Sequence, residues 1–194
     1  WNDKKTICNK FTHSCPITTL VWPLARPNEL YYGLFDGQVK TGHLKLHKHR
    51  TLYASHSYVT ALAADPQGRG IVTGHLDGTI RKCLFDNIQH GGMVIMMHSC
   101  IPYALAWGAS IVVAGNDKQV VFIDENGVQE AAFDNNSDPN CREYTVAACN
   151  PSGDTMVLGN FDAFYVYTRS KDTHQWQATQ SKRVQNMYSV TALA

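Results

Sequence analysis

The sequence lacks both long hydrophobic runs and a strong charge of either sign. Its longest apolar run, around Ile111–Gly115, is far shorter than the ~20 residues of a transmembrane helix. Lysine and arginine total 17 against 16 aspartates and glutamates, so the formal net charge is +1. Nucleic-acid-binding domains usually carry a basic stripe. We therefore expect no transmembrane segment and no nucleic-acid partner, and we leave contact with a membrane surface open.

The sequence also lacks the short motifs of common enzyme families. It contains no Gly-x-Ser-x-Gly nucleophile elbow, no His-Glu-x-x-His zinc motif and no phosphate-binding glycine loop before Lys-Ser/Thr. The Asp box of sialidases is absent as well. We therefore predict that the chain is not an enzyme, with no catalytic residues, no cofactor and no metal.

The start of the chain and its cysteines give weaker indications. The polar start Trp1–Lys5 has neither an initiator methionine nor a signal peptide, which predicts an internal piece of a longer protein. The six cysteines form no Cys-x-x-Cys pair, and four of them lie in apolar strand contexts. We expect reduced, mostly buried thiols in a cytosolic protein.

What the sequence does contain is an internal repeat. The pentapeptide Val59–Ala63 recurs unchanged as Val190–Ala194, and looser copies lie between and before them. Anchor positions 18, 60, 103, 145 and 191 give steps of 42, 43, 42 and 46 residues. A period of about 40–45 residues with short strands is typical of a four-stranded propeller blade. The repeat therefore predicts an all-β fragment of a WD-repeat-type β-propeller, with about four four-stranded blades.

A second marker, a Gly-x-x-Asp turn, follows the same step. It occurs at Gly33–Asp36, Gly74–Asp77 and Gly159–Asp162, and with alanine first at Ala114–Asp117. In two copies a glycine follows the aspartate, and Asp-Gly between apolar runs is a strong hairpin signal. No segment longer than ten residues shows a 3.6-residue period, so we predict essentially no α-helix.

The two markers divide the chain into units. We predict the end of a preceding blade at 1–11, blade units at 12–55, 56–98, 99–140 and 141–187, and the first strand of a next blade at 188–194. Such a piece leaves blade edges uncovered. We therefore expect an open arc that neighbouring blades complete within a larger ring or pair of rings.

Histidines and aspartates recur at fixed places in these units. A histidine precedes the first strand in three units and an aspartate occupies the turn in all four: His13, His56 and His98, and Asp36, Asp77, Asp117 and Asp162. This resembles the WD-repeat family, and the resemblance implies a structural role in which a buried imidazole hydrogen-bonds the carboxylate. Cys83 and Ile123 stand where that family has tryptophan, so the network is incomplete. The alternative is that some aspartates only form turns.

Three further histidines, His43, His47 and His49, lie close together in the chain. Alternation along a strand running from Gln38 predicts that all three share one face. Two or three histidines hold Zn²⁺ when a carboxylate or thiolate joins them. Lys45 and Lys48 make the segment positive, so we favour a solvated outer strand over a metal site.

Several longer stretches are more specific than the turns. Lys4–Phe11, Gly74–Ile80, Pro102–Trp107 and Tyr188–Ala194 resemble the propeller region of the largest peripheral subunit of the intraflagellar transport B complex. The likeness runs along the whole chain and is weakest in loops such as His43–Arg50 and Asp86–Gly92.

The resemblance implies a scaffold on the trains that carry cargo along ciliary microtubules during ciliary assembly. It implies other subunits of complex B as partners, with protein partners on the propeller rims. It also implies a location in the cytoplasm and in the cilium or flagellum and its base. The alternative is a WD-repeat recognition module of a ubiquitin ligase or vesicle coat.

Overall fold

The structure, a computed structural model, describes residues 10–184, apart from the side chains of residues 88–90. The strand predicted at 188–194 and nearly all of the predicted segment 1–11 lie outside these residues. Within the described part, α-helix is absent, as predicted, and Phe85–His90 forms a short 3₁₀ segment. No described helix has the length and apolar character needed to cross a membrane.

Four antiparallel sheets, each of four strands in chain order, account for the described fold. The strands of blades 1 and 2 are β1 (Ile17–Val21), β2 (Glu29–Leu34), β3 (Gln38–His43), β4 (Lys48–Ala54), β5 (Val59–Ala64), β6 (Gly70–His75), β7 (Thr79–Leu84) and β8 (Met93–Met97). Those of blades 3 and 4 are β9 (Ala104–Trp107), β10 (Ile111–Ala114), β11 (Gln119–Ile123), β12 (Gln129–Asp134), β13 (Val146–Cys149), β14 (Thr155–Gly159), β15 (Ala163–Arg169) and β16 (Trp176–Arg183). The predicted fold class is therefore confirmed.

The first strands of the four blades, β1, β5, β9 and β13, surround an axial cavity of about 380 Å³. Side chains of these strands bond to the next blade. Thr18 Oγ1 donates to the carbonyl oxygen of Val59 at 2.7 Å, and Thr60 Oγ1 donates to that of Pro102 at 3.0 Å. Residues 18 and 60 are anchor positions of the repeat, so the threonine recurs where a blade meets its neighbour.

Each pair of neighbouring blades encloses its own apolar core. Tyr31 and Ile71 lie in the core between blades 1 and 2, and Phe122 and Met156 lie in the core between blades 3 and 4. Adjacent residues of one strand lie in different cores, because successive side chains point to opposite faces of a sheet. The burial of both faces between neighbouring blades explains why the chain repeats.

The predicted Asp-Gly hairpins are present in blades 1 and 2, where Gly37 and Gly78 have φ of 83° and 86°. A Cβ on Gly78 would lie 2.6 Å from the carbonyl oxygen of His98, so the turn also needs glycine for space. In blade 3 the equivalent position is Lys118, with φ of 58°. Blade 4 closes its turn differently, through a hydrogen bond from the N–H of Ala163 to Asn160 Oδ1 at 3.0 Å.

Five cysteines lie in the described part of the chain, and all five are free thiols. Cys83 and Cys141 are buried, while Cys15, Cys100 and Cys149 are partly exposed. The cores thus form without a disulfide between any of these five residues.

Candidate functional site

The candidate site is the end of the blades that carries the second turn of each blade, which we call the turn face. It consists of the turns at residues 35–37, 76–78, 115–118 and 160–162, and of the segments that lead into the first strands, 13–16, 55–58, 98–103 and 141–145. Backbone hydrogen bonds join the two sets, such as Phe35 N–H to the carbonyl oxygen of Pro16 at 3.0 Å. All seven predicted histidines and aspartates lie on this face.

The structure brings His98 and Asp117 together in blade 3. The His98 side chain is 1% exposed, and its Nδ1 lies 4.0 Å from Asp117 Oδ2. The Ser99 hydroxyl donates to the same oxygen, and the Gln119 N–H donates to Oδ1 at 3.2 Å. Burial raises the pKa of Asp117, but these hydrogen bonds outweigh it and the net pKa is lowered. The carboxylate is therefore ionised at neutral pH.

Cys100 completes a compact group of three potential metal ligands with His98 and Asp117. One ligand atom from each residue lies within 4.8 Å of the other two. However, His98 Nδ1 already accepts the Cys100 N–H at 3.3 Å, and burial raises the pKa of the Cys100 thiol. A metal bound through Nδ1 would have to replace this hydrogen bond and take the proton of a thiol whose pKa is raised. We interpret the group as a hydrogen-bonded connection between the turn and the first strand.

His13 and Asp36 of blade 1 lie near one another without a hydrogen bond between them. The His13 ring instead packs against Tyr32 and His49, with ring centroids 5.1 Å away in both cases. Burial lowers the pKa of His13, Lys40 and His49 lower it further, and Asp36 opposes them. His13 is therefore neutral at neutral pH and packs chiefly as an aromatic ring.

His56 and Asp77 of blade 2 are not joined either. His56 is exposed and hydrogen-bonds no described residue. Asp77 Oδ1 accepts the N–H of Thr79 at 3.0 Å and its hydroxyl at 2.7 Å, and the Asp77 N–H donates to Ser57 Oγ at 2.9 Å. Asp77 thus stabilises its turn through local bonds.

Asp162 of blade 4 has a cationic partner that is not a histidine. Arg183 Nη2 lies 2.5 Å and Arg183 Nε lies 3.1 Å from Asp162 Oδ2. Arg183 Nη1 also donates to Asn140 Oδ1 at 2.9 Å, which joins β16 to the segment before β13. None of the three histidines hydrogen-bonds one of the four aspartates, and His98 and Asp117 come closest to the predicted pairing, at 4.0 Å. The structural role of the full set stays a prediction.

The residue that sequence reasoning missed is His75, at the end of β6. Its side chain is fully buried, and its ring nitrogens contact four polar groups. These contacts are Nδ1 to Ser57 O at 2.9 Å and to Ser55 Oγ at 3.1 Å, and Nε2 to Tyr53 Oη at 3.1 Å and to Thr73 Oγ1 at 3.2 Å. Burial lowers the pKa of His75, so the imidazole is neutral.

The Gly-x-x-Asp turn marker could have indicated that His75 is buried. His75 holds the second position of Gly-x-x-Asp, as do Leu34 and Asn160, and all three are buried. The apolar Leu34 in one copy indicates that this position is internal. A polar residue there in another copy must find hydrogen-bond partners.

The prediction that His43, His47 and His49 share one face of a strand is wrong. β3 ends at His43 and β4 begins at Lys48, so the three histidines surround a hairpin. His47 has φ of 52° in the turn, and His43 Nδ1 accepts the N–H of Leu46 at 3.2 Å. Alternation fails because it holds only along a continuous strand.

Four consecutive four-stranded sheets, with their first strands around one cavity, define a WD-type β-propeller region. No protein-family model matches the chain. The chain is 45% identical over 195 residues to intraflagellar transport protein 172 of Chlamydomonas reinhardtii, and 39% identical over 197 residues to its Homo sapiens homolog. It is 30% identical over 194 residues to intraflagellar transport protein osm-1 of Caenorhabditis elegans.

These alignments cover 98% or 100% of the chain, but the chain spans only 11% of the length of these relatives. The resemblance inferred from the sequence is confirmed. Along its whole length, the chain is a relative of intraflagellar transport protein 172.

Proposed function

We propose that the chain is a non-enzymatic protein-interaction scaffold within a subunit of intraflagellar transport complex B. The observation that carries this proposal is the 45% identity, over 98% of the chain, to a protein named for intraflagellar transport. The protein works in the cytoplasm, at the base of the cilium or flagellum and inside it. Its partners are other subunits of the complex, bound on the propeller rims.

The axial cavity supports a scaffold rather than an enzyme. Enzymatic propellers need a polar constellation in the channel. Among the described residues that line this cavity, such as Val21, Leu62 and Ala147, the only titratable side chain is Cys149. The Cys149 thiol donates to the carbonyl oxygen of Trp107 at 3.0 Å, and burial raises its pKa. A protonated thiol of this kind is a poor nucleophile.

The arginines favour the scaffold over a ubiquitin-ligase or vesicle-coat recognition module. Such a module usually presents arginines and aromatic residues together on one rim. Here Arg26 lies 4.4 Å from the centre of the Phe85 ring between blades 1 and 2, Arg81 donates to the carbonyl oxygen of Gly92, and Arg183 pairs with Asp162. These three arginines thus lie in different parts of the blades, and each contacts a group of the chain itself.

The test follows the fluorescently tagged full-length protein in ciliated cells that lack their own copy, with the tag alone as control. We expect the tagged protein to move in both directions along cilia and to co-purify with complex B. A protein that stays out of cilia and out of the complex would contradict the proposal. So would turnover of ester, glycoside or phosphate substrates that disappears with one histidine or aspartate substitution.

A further inference from the structure

The turn face carries an open cleft between blades 1 and 2, which we call the turn cleft. It has a volume of about 650 Å³ and is lined by Phe35, Asp36, His56, Ser57, Tyr58, Leu76 and Asp77. Phe35 is 61% exposed and Leu76 is 47% exposed, so the apolar part of the cleft faces solvent. The rings of Phe35 and Tyr58 lie 5.3 Å apart with an interplanar angle of 36°.

The walls of the turn cleft are held by hydrogen bonds that backbone N–H groups donate. The Leu76 N–H donates to the carbonyl oxygen of Tyr58 at 2.9 Å, and the Asp77 N–H donates to Ser57 Oγ at 2.9 Å. Phe35 is fixed in the same way by its bond to Pro16. A surface that is already ordered loses little conformational entropy on binding, which favours affinity.

The charge of the turn cleft is negative and not neutralised by a close cation. Asp36 and Asp77 flank it, and neither lies within 4.0 Å of a described lysine or arginine nitrogen, although Lys40 acts on Asp36 from further away. Burial raises the pKa of Asp77, but hydrogen bonds from Thr79 outweigh it, and the net pKa is lowered. The net pKa of Asp36 is lowered as well. Both carboxylates are therefore ionised at neutral pH.

We propose that the turn cleft binds a segment of a protein partner that presents an arginine or lysine beside an apolar side chain. Phe35, Tyr58 and Leu76 take the apolar side chain and the aliphatic stem of the cation. Asp36 and Asp77 take its charge. Arginine fits best, because its planar guanidinium stacks on aromatic rings and bonds carboxylates in a forked geometry. The inference rests on the proposed function as a protein-interaction scaffold.

Blades 3 and 4 provide an internal contrast. Phe161 is 46% exposed and lies at the same turn position as Phe35 and Leu76, but the adjacent Asp162 is already paired with Arg183. The cleft there, of about 450 Å³, is lined by Lys118 and Arg142 as well as by one acidic side chain, that of Glu143. Its charge does not favour a cationic segment, so the proposal concerns blades 1 and 2 alone.

The experiment selects phage-displayed random 12-residue peptides on the full-length protein and on two variants. The double variant D36N/D77N removes both charges, and asparagine keeps the side-chain oxygen that forms the turn. D162N is the matched control in blade 4. On the unmodified protein and on D162N we expect enrichment of arginine or lysine next to leucine, isoleucine or phenylalanine. On D36N/D77N we expect that enrichment to disappear.

A selected peptide is then measured by fluorescence anisotropy beside its arginine-to-citrulline analogue. We expect binding to D36N/D77N to be about 3- to 10-fold weaker, as two solvent-accessible ion pairs predict. The citrulline analogue should bind all three proteins equally. Added salt should weaken only the binding of the arginine peptide to the two proteins that keep Asp36 and Asp77. The variant F35A/L76A should weaken binding of both peptides.

Three results would overturn the inference. The selected peptides could show no preference for a cation, the preference could survive in D36N/D77N, or the D162N substitution could remove it as fully as D36N/D77N does. Unchanged hydrogen exchange of β2 and β6 in the double variant confirms that it is folded. If the protein moves along cilia and shows no cation preference, the inference alone fails. If it binds cationic peptides but stays outside cilia and complex B, the proposed function fails.

Discussion

The interfaces between neighbouring blades, which we call joints, differ in their side chains: the joint between blades 1 and 2 contains a polar network, and the joint between blades 3 and 4 contains stacked aromatic rings. In the first joint, the Tyr53 hydroxyl from β4 hydrogen-bonds Thr73 and His75 of β6. Thr73 and His75 are fully buried. A polar network therefore lies beside the apolar core of this joint, and it ties the outer strand of one blade to the second strand of the next.

The joint between blades 3 and 4 is built from aromatic rings. Trp176 of β16 stacks on Phe122 of β11, with ring centroids 4.3 Å apart and an interplanar angle of 21°. Phe133 lies 4.9 Å from the ring of Tyr167. The Trp176 indole N–H donates to Ser110 Oγ at 2.8 Å, so its one polar atom is satisfied.

The difference shows that the repeat specifies the backbone of a blade, whereas the side chains that pack between neighbouring blades vary from one joint to the next. An aromatic joint gains stability from buried area, and phenylalanine and tryptophan side chains carry no titratable group. A joint that contains a buried neutral histidine depends on that histidine staying unprotonated. The two joints should therefore respond differently to substitution and to pH.

The largest effect should come from breaking the aromatic joint. Trp176→Ala removes a side chain of a residue that is only 5% exposed, and we expect a loss of about 3–5 kcal/mol in the free energy of local unfolding. Hydrogen exchange of β11 and β14 in the full-length protein measures it. The control Trp22→Ala removes a tryptophan that is 55% exposed, and it should change stability by less than about 1 kcal/mol.

Breaking the polar joint should cost somewhat less. His75→Ala leaves the carbonyl oxygen of Ser57 without one of its donors and removes a hydrogen-bond partner of Tyr53. We expect a loss of about 2–3 kcal/mol, seen as faster exchange of β6 and β7. His56→Ala, which removes an exposed histidine from the segment before β5, is the matched control. Equal losses in the two variants would show that the buried network does not stabilise the joint.

Substitutions of the turn aspartates in blades 2 and 4 should have smaller effects on stability. Asp77→Ala removes the acceptor of both Thr79 bonds, and we expect a loss of about 1–2 kcal/mol. Asp162→Ala breaks an ion pair whose arginine is 53% exposed, and we expect a loss of at most about 1 kcal/mol. Urea unfolding followed by peptide-level exchange compares them. The reverse order would contradict the assignment of Asp77 as the stronger turn residue.

The smallest effect should be a gain in stability. Lys118 adopts φ of 58°, a conformation that glycine reaches without strain. We expect Lys118→Gly to stabilise the β10–β11 turn by about 0.5–1 kcal/mol. Lys40→Gly, in the middle of β3, should destabilise by a similar amount, and exchange of the two hairpins measures both. A loss in both variants would show that Lys118 is not strained.

The sequence predicted the blades well because the repeat and the turn marker report on backbone needs that recur in every unit. The Asp-Gly turns at Asp36 and Asp77 have the glycine that their positive φ requires. The hairpin after His43 was missed, since His47 adopts its positive φ without glycine. The pairing of Asp162 with Arg183 joins residues 21 positions apart, and nothing local indicates it.

The most direct test of non-equivalent joints is the pH dependence of local hydrogen exchange in the full-length protein, corrected for intrinsic rates. The pKa of folded His75 lies below its ordinary value of 6.5, so below that pH the opened joint binds a proton that the closed joint does not. The account predicts that β6 loses protection as pH falls from about 6.5, that β14 does not, and that His75→Asn abolishes the difference. An equal response of β6 and β14, or a pH response that persists in His75→Asn, would contradict it.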